Sequence, residues 1–133
     1  MHTTDLKVRF NELDTYGHVN HAIYLTYFEM ARIEALASIG CGLDRLQADG
    51  FHLIVVDVHI RYVKPATLGH VLTVETKVTQ LGTASARWRQ VITRSGDLIA
   101  SLELRGAFTN RDGRPHRIPI EYVEALDPLL ASG

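Results

Sequence analysis

The sequence predicts an α+β domain in which one antiparallel sheet of about five strands wraps around one long central helix. Two observations carry this. Residues 20–39 form a single long helical stretch, apolar around much of its circumference. After Gly50, four segments with strand character follow one another through short connections.

The elements read as follows. Leu6, Val8 and Phe10 alternate with Lys7, Arg9 and Asn11, which predicts a half-buried first strand. Asp14-Thr15-Tyr16-Gly17 supplies turn chemistry. In the helix, Ile23, Tyr27, Met30 and Ala31 share one stripe, with Tyr24, Phe28 and Ala35 beside it. So broad an apolar surface predicts a buried helix, stopped by Gly40 and Gly42. The span from Gly42 to Gly50 reads as a short second helix or a loop. A strand from Phe51 to Val63 carries the run Leu53-Ile54-Val55-Val56 and ends before Pro65. Val74, Thr76 and Val78 alternate with charged or polar neighbours from Val71 to Leu81. Gly82-Thr83 turns the chain into Ala86, Trp88, Gln90 and Ile92. After Ser95-Gly96-Asp97, Leu98, Ala100, Leu102, Leu104 and Phe108 share one face of a last strand. Asn110 to Pro115 reads as a polar loop, and Ile118 to Leu126 as a terminal helix ended before Pro128.

Composition narrows the function classes. With 133 residues and no linker or repeat, residues 1–133 read as one domain. A net charge of -1 argues against a general nucleic-acid binder. Cys41 is the single cysteine, so no internal disulfide forms and a reducing, cytoplasmic setting is expected. The first residues lack a signal-peptide pattern, and no apolar run has the roughly 18 residues of a membrane span.

The chemistry concentrates where the chain turns into the helix: Asp14, His18, Asn20 and His21. The first N–H groups of a helix lack intrahelical partners and carry partial positive charge. With Asn20 as N-cap, His21, Ala22 and Ile23 would supply such groups. A carboxylate beside them suits attack on a carbonyl whose oxygen becomes negative. The competing interpretation is ordinary: an Asp before a helix is most often a turn or cap residue. His18 and His21 have a His-x-x-His spacing, but no third ligand accompanies it, so no metal is expected. Cys41 reads as a small core residue, and Tyr24, Tyr27, Phe28 and Trp88 as core aromatics rather than a ligand platform. Glu29 and Arg32, three apart on the helix, are candidates for an ion pair.

The stretch Asp14, His18-Val19-Asn20, Tyr24, Phe28 and Ala31-Arg32 resembles the helix motif of the hotdog-fold acyl-CoA thioesterases of the 4-hydroxybenzoyl-CoA thioesterase superfamily. Its nearest likeness is to bacterial fatty acyl-CoA thioesterases. Tyr62-Val63-Lys64-Pro65-Ala66, with Leu68-Gly69, is a second and weaker match. Three positions depart from the pattern. His21 replaces a second Asn, Asn11-Glu12 stands where Gly-Asp is frequent, and His70 follows Gly69 where Asp is frequent.

The resemblance implies hydrolysis of an acyl-CoA, with Asp14 as base or nucleophile and the amide near His21 on the thioester oxygen. His18 and Asn20 would orient and hydrogen-bond, and Thr15, Tyr16 and Tyr24 would shape the substrate pocket. Coenzyme A arrives as part of the substrate, and no other cofactor is implied. Its phosphates call for basic residues, with Arg61, Lys64, Arg87 and Arg89 as candidates and Arg111, Arg114 and Arg117 as another group. The expected partners are small-molecule substrate and further copies of the chain, as a homodimer or homotetramer. An acyl-thioester hydratase or dehydratase on the same fold, and a non-catalytic acyl-CoA-binding module, remain as alternatives.

Overall fold

The computed structural model describes residues 1–130. In order it contains β1 (His2–Lys7), a 3-10 turn (Phe10–Glu12), α1 (His21–Ser38), α2 (Leu43–Asp49), β2 (Phe51–Tyr62), β3 (Val71–Leu81), β4 (Ser85–Arg94), β5 (Asp97–Asn110), α3 (Ile120–Ala125) and a 3-10 turn (Asp127–Leu129). The five strands form one antiparallel sheet in the order β1-β3-β4-β5-β2. α1 lies across it, which is the expected α+β hotdog architecture.

Alternation decides which side of the sheet meets the helix. Val74, Thr76 and Val78 of β3, and Trp88, Gln90 and Ile92 of β4, are buried. Their sequence neighbours face the other way, as a period of two requires. The helix presents Tyr27, Phe28, Ala31 and Ala35 to this face. The two alanines let its axis come close to β3. Burying Phe28 fully contributes about 2–3 kcal/mol.

Four expectations need correction. β1 ends at Lys7, so Phe10 is not on its inner face. The chain turns there, Phe10 is 80% exposed, and Glu12 is the residue that goes inside. The helix is covered on one side only, leaving Leu25 and Met30 on its exposed side. Its apolar breadth therefore exceeds what one chain buries. Leu98 does not share the inner face, because the register shifts opposite Ile92 and Thr93. Ile99 and Ala100 are both buried instead. Finally, the terminal helix, Ile120–Ala125, is shorter than expected; it ends before Pro128 as expected, and Pro128 lies in a following 3-10 turn.

The span after Gly42 resolves as a helix. α2 is closed by Gly50 in the left-handed conformation, φ +83°. It is tied to α3 by the Tyr122 hydroxyl, which donates to Asp49 Oδ2. β2 is the most exposed strand. It pairs with β5 along one edge only, and Leu53, Ile54, Val55, Val56 and Val58 are each at least 42% exposed. Among the described residues no helix is long and apolar enough to cross a membrane.

Candidate active site

The loop before α1 is a tight hairpin. Leu13 and Val19 form an antiparallel bridge, and the Asp14 N–H donates to the His18 carbonyl at 2.7 Å. Gly17, at φ +80°, makes the reversal where a side chain would be strained. The hairpin is fixed from both sides. The Val19 N–H donates to the Ala66 carbonyl at 2.8 Å, and the Asn20 N–H to the Glu12 carbonyl at 2.9 Å.

This backbone holds Asp14. Its Oδ1 accepts from the amides of Tyr16 at 2.8 Å and His18 at 3.1 Å. Oδ2 makes no hydrogen bond to any described residue. One oxygen thus fixes the carboxylate, and the other is left for a water or a substrate carbon.

Asn20 is the N-cap of α1, as expected. Its side chain accepts from the Ala22 N–H at 2.9 Å, and its carbonyl from the Ile23 N–H at 2.9 Å. That narrows the expected trio of open amides. Ala22 and Ile23 are occupied by the cap, and the His21 N–H is the one without an acceptor among the described residues. No acidic side chain occupies the first turn, so the positive end of the helix dipole is not offset locally.

Two features were not legible in the sequence. The Tyr62 hydroxyl, at the end of β2, donates to the His21 carbonyl at 2.8 Å. It ties the open sheet edge to the helix start. Glu12 is the second. Only 6% exposed, it accepts from the Arg9 amide at 2.8 Å, the Arg9 guanidinium at 3.1 Å and the Tyr27 hydroxyl at 2.8 Å. Burial alone would raise its pKa, but the Arg9 amide, then the Tyr27 hydroxyl and the guanidinium, outweigh it and hold the group below its usual value. Glu12 braces the loop against α1.

The structure sorts the other candidates. Thr15, Tyr16, His18 and His21 are exposed around the hairpin, Tyr16 at 84%. Tyr24 is buried; its hydroxyl oxygen accepts from the Ala66 N–H at 3.2 Å, and its ring meets the edge of Tyr62 at 5.4 Å. Arg61 pairs with Ser101 on the face of the sheet away from α1, the same face as Arg89, and Lys64, just past β2, lies 3.9 Å from Asp97. Arg87 and Arg89 alternate with the buried Trp88 and Gln90. They occupy the face of the sheet away from α1, so one chain does not bring them to Asp14. Arg111 donates to the Gln47 carbonyl at 2.9 Å. Arg32 bonds Gln90 rather than Glu29. Cys41 is buried. Among the described residues no group of three or more His, Cys, Asp or Glu is arranged to hold a metal.

A curved sheet around a helix, with a pinned carboxylate in the loop leading to an open helix amide, defines a hotdog-fold protein with a polar site at its helix N-terminus. The family comparison agrees: a model of the thioesterase-like superfamily matches residues 8–126, and the chain belongs to that superfamily. It is 38% identical over 90 residues to a long-chain acyl-CoA thioesterase, FadM, of Escherichia coli, covering 68% of this chain and 67% of the relative. It is 30% identical over 120 residues to the chloroplastic acyl-acyl carrier protein thioesterase ATL2 of Arabidopsis thaliana, covering 89% of this chain. The match spans 64% of that longer relative. A solved structure, hypothetical protein TT1821 of Thermus thermophilus, superposes with a TM-score of 0.90 at 32% identity, over 96% of this chain and 98% of the other.

Proposed function

We propose that this protein hydrolyses acyl-CoA thioesters, with fatty acyl groups as the acyl class. The observation that carries the proposal is the pairing of Asp14, held by one oxygen, with the open His21 N–H at the head of α1. The kinship with FadM supports the same reading, and that with ATL2, which is named for an acyl carrier protein thioester, supports thioester hydrolysis alone.

The chemistry follows from those groups. The thioester carbonyl oxygen takes the His21 N–H, where the helix dipole favours developing negative charge. In the base route, Asp14 Oδ2 accepts a proton from water, whose oxygen attacks the carbonyl carbon. In the nucleophile route, Oδ2 attacks that carbon and water later opens the anhydride. In both, the C–S bond breaks, the sulfur leaves as thiolate to be protonated, and the carbon becomes a carboxylic acid. The reading calls for no metal or redox cofactor. Lys64, two residues past Tyr62, is our candidate within one chain for the coenzyme A phosphates, whereas Arg61, like Arg87 and Arg89, lies on the other face of the sheet.

The proposed assembly is a homodimer across β2, in the cytoplasm. An apolar strand with one open edge is a template for pairing, and β2 is such a strand on both faces. A second copy would extend the sheet.

The hydratase alternative requires an Asp/His pair. Here Asp14 bonds the His18 backbone, and no hydrogen bond joins it to the His18 ring. Product analysis with an enoyl-CoA separates the two. Free thiol and free acid support hydrolysis; a 3-hydroxyacyl-CoA with its thioester intact overturns it. Tight acyl-CoA binding without turnover would point to the binding module.

A further inference from the structure

A cavity of about 300 Å³ lies between the C-terminal half of α1 and the β4-β5-β2 side of the sheet. Ligand pockets begin at about this size. Leu36, Leu46, Leu53, Trp88, Leu104 and Phe108 supply apolar walls. α1 makes its close approach to β3 and β1, which leaves this half of the concave face open. The cavity is related to the helix start by geometry. Tyr62, at the end of β2, touches His21 at the start of α1, whereas Leu53 to Val55, near the start of β2, line the cavity with Leu36. α1 therefore runs from the site toward the cavity, and β2 runs back from the cavity to the site. From His21 to Arg32 the helix rises roughly 16 Å, which only a long acyl chain spans.

Arg32 interrupts the apolar lining. A guanidinium has five N–H donors. Here Nη1 donates to Gln90 Oε1 at 2.9 Å, and no other hydrogen bond engages the group among the described residues. Gln90 is fully buried and spends its own amide on the Phe28 carbonyl and Thr76 Oγ1, each at 2.9 Å. Glu29 lines the same cavity but is exposed and makes no ion pair with Arg32. Burial lowers the pKa of Arg32, and the charge of Glu29 opposes that shift without cancelling it. A cation with unused donors against an apolar wall is costly, and a carboxylate bound by two parallel N–H groups relieves that cost.

We propose that the cavity receives the far end of a long acyl chain and that Arg32 selects chains ending in a carboxylate. The preferred substrate is then an ω-carboxyl long-chain acyl-CoA. This inference rests on the thioesterase reading above.

The test compares kcat/KM for the mono-CoA thioester of hexadecanedioic acid, hexadecanoyl-CoA and butanoyl-CoA. The wild type should prefer the ω-carboxyl substrate over hexadecanoyl-CoA by about tenfold or more. Arg32→Met should remove or reverse that preference while butanoyl-CoA hydrolysis stays within about twofold. A wild type that favours hexadecanoyl-CoA, or a folded variant with an unchanged ratio, overturns the proposal. The wild-type comparison decides the matter even where Arg32→Met fails to fold. Trp88, the single tryptophan, lies on the cavity wall and gives a readout free of turnover. Its fluorescence, titrated with hexadecanedioic and hexadecanoic acids, should report tighter binding of the diacid. Equal affinities, or no response, overturn the proposal. Absent thiol release from all three thioesters would defeat the hydrolase reading separately, with the Trp88 titration still deciding the role of Arg32.

Discussion

The Tyr27 hydroxyl donates to the carboxylate of Glu12 across 2.8 Å, inside the protein, fifteen residues apart in sequence. This bond joins the second turn of α1 to the 3-10 turn whose carbonyl at Glu12 holds the Asn20 amide. The helix and the loop carrying Asp14 are thereby set relative to each other.

Glu12→Gln should therefore lower stability by about 1–3 kcal/mol at neutral pH, since the charge-assisted bonds weaken and one of them meets an amide donor. The pH dependence has a definite sign. The folded pKa of Glu12 lies below its ordinary value of 4.5. Its stabilisation is complete above that ordinary value and is lost as pH falls through the lower folded value. Urea unfolding from pH 7 down to pH 3 should show a steeper acid loss in wild type than in the variant. Parallel curves would contradict the assignment.

Gln90 links β4, β3 and α1 through bonds to Thr76, Phe28 and Arg32. Gln90→Leu should cost about 1–3 kcal/mol, because the buried Phe28 carbonyl and Thr76 hydroxyl and the half-buried Arg32 all lose their partner. Combining it with Arg32→Met should recover part of that cost, since the two share one bond. Denaturant midpoints of the two single variants and the double variant measure this coupling; simple additivity would exclude it.

Asn20→Ala removes the acceptor of the Ala22 N–H. A loss of about 1 kcal/mol is expected, with a lower kcat because the first turn of α1 frays at the His21 amide. Asn20→Asp keeps the cap and should restore stability. A fully active alanine variant would show that the cap does not set the site.

The dimer reading predicts an effect at the open edge. Val58, 42% exposed on β2, becomes a charge in Val58→Lys. Light scattering should then give a monomer where wild type gives a dimer or larger. A monomeric wild type at working concentration would refute the assembly.

The sequence made α1 legible because Tyr27, Phe28, Ala31 and Ala35 repeat at helical spacing, and β3 because Val74, Thr76 and Val78 alternate without a break. Asn20 as cap and the loop at Asp14 were legible from local turn and capping chemistry. The choice of His21 among three amides was not, since it depends on how the Asn20 side chain closes on Ala22. Phe10 misled because hydrophobicity outweighed the turn that follows it, and the buried carboxylate beside it, Glu12, finds its partner on another element. Leu98 misled because a register shift reverses alternation with no change in composition. The apolar breadth of α1 and β2 was visible; how little of it one chain covers depends on tertiary placement. The bonds from Tyr62 to His21 and from Arg32 to Gln90 join residues far apart in sequence and left no local signal.

In the proposed mechanism Asp14 drives thioester hydrolysis. The measurement is kcat for thiol release from a long-chain acyl-CoA, wild type against Asp14→Asn, with both melting curves in hand. The near-isosteric variant keeps the acceptor oxygen for the Tyr16 and His18 amides, so its fold should persist. kcat should fall about 100-fold or more with melting little changed. A folded variant within a few-fold of wild type would contradict this mechanism and move the chemistry away from Asp14.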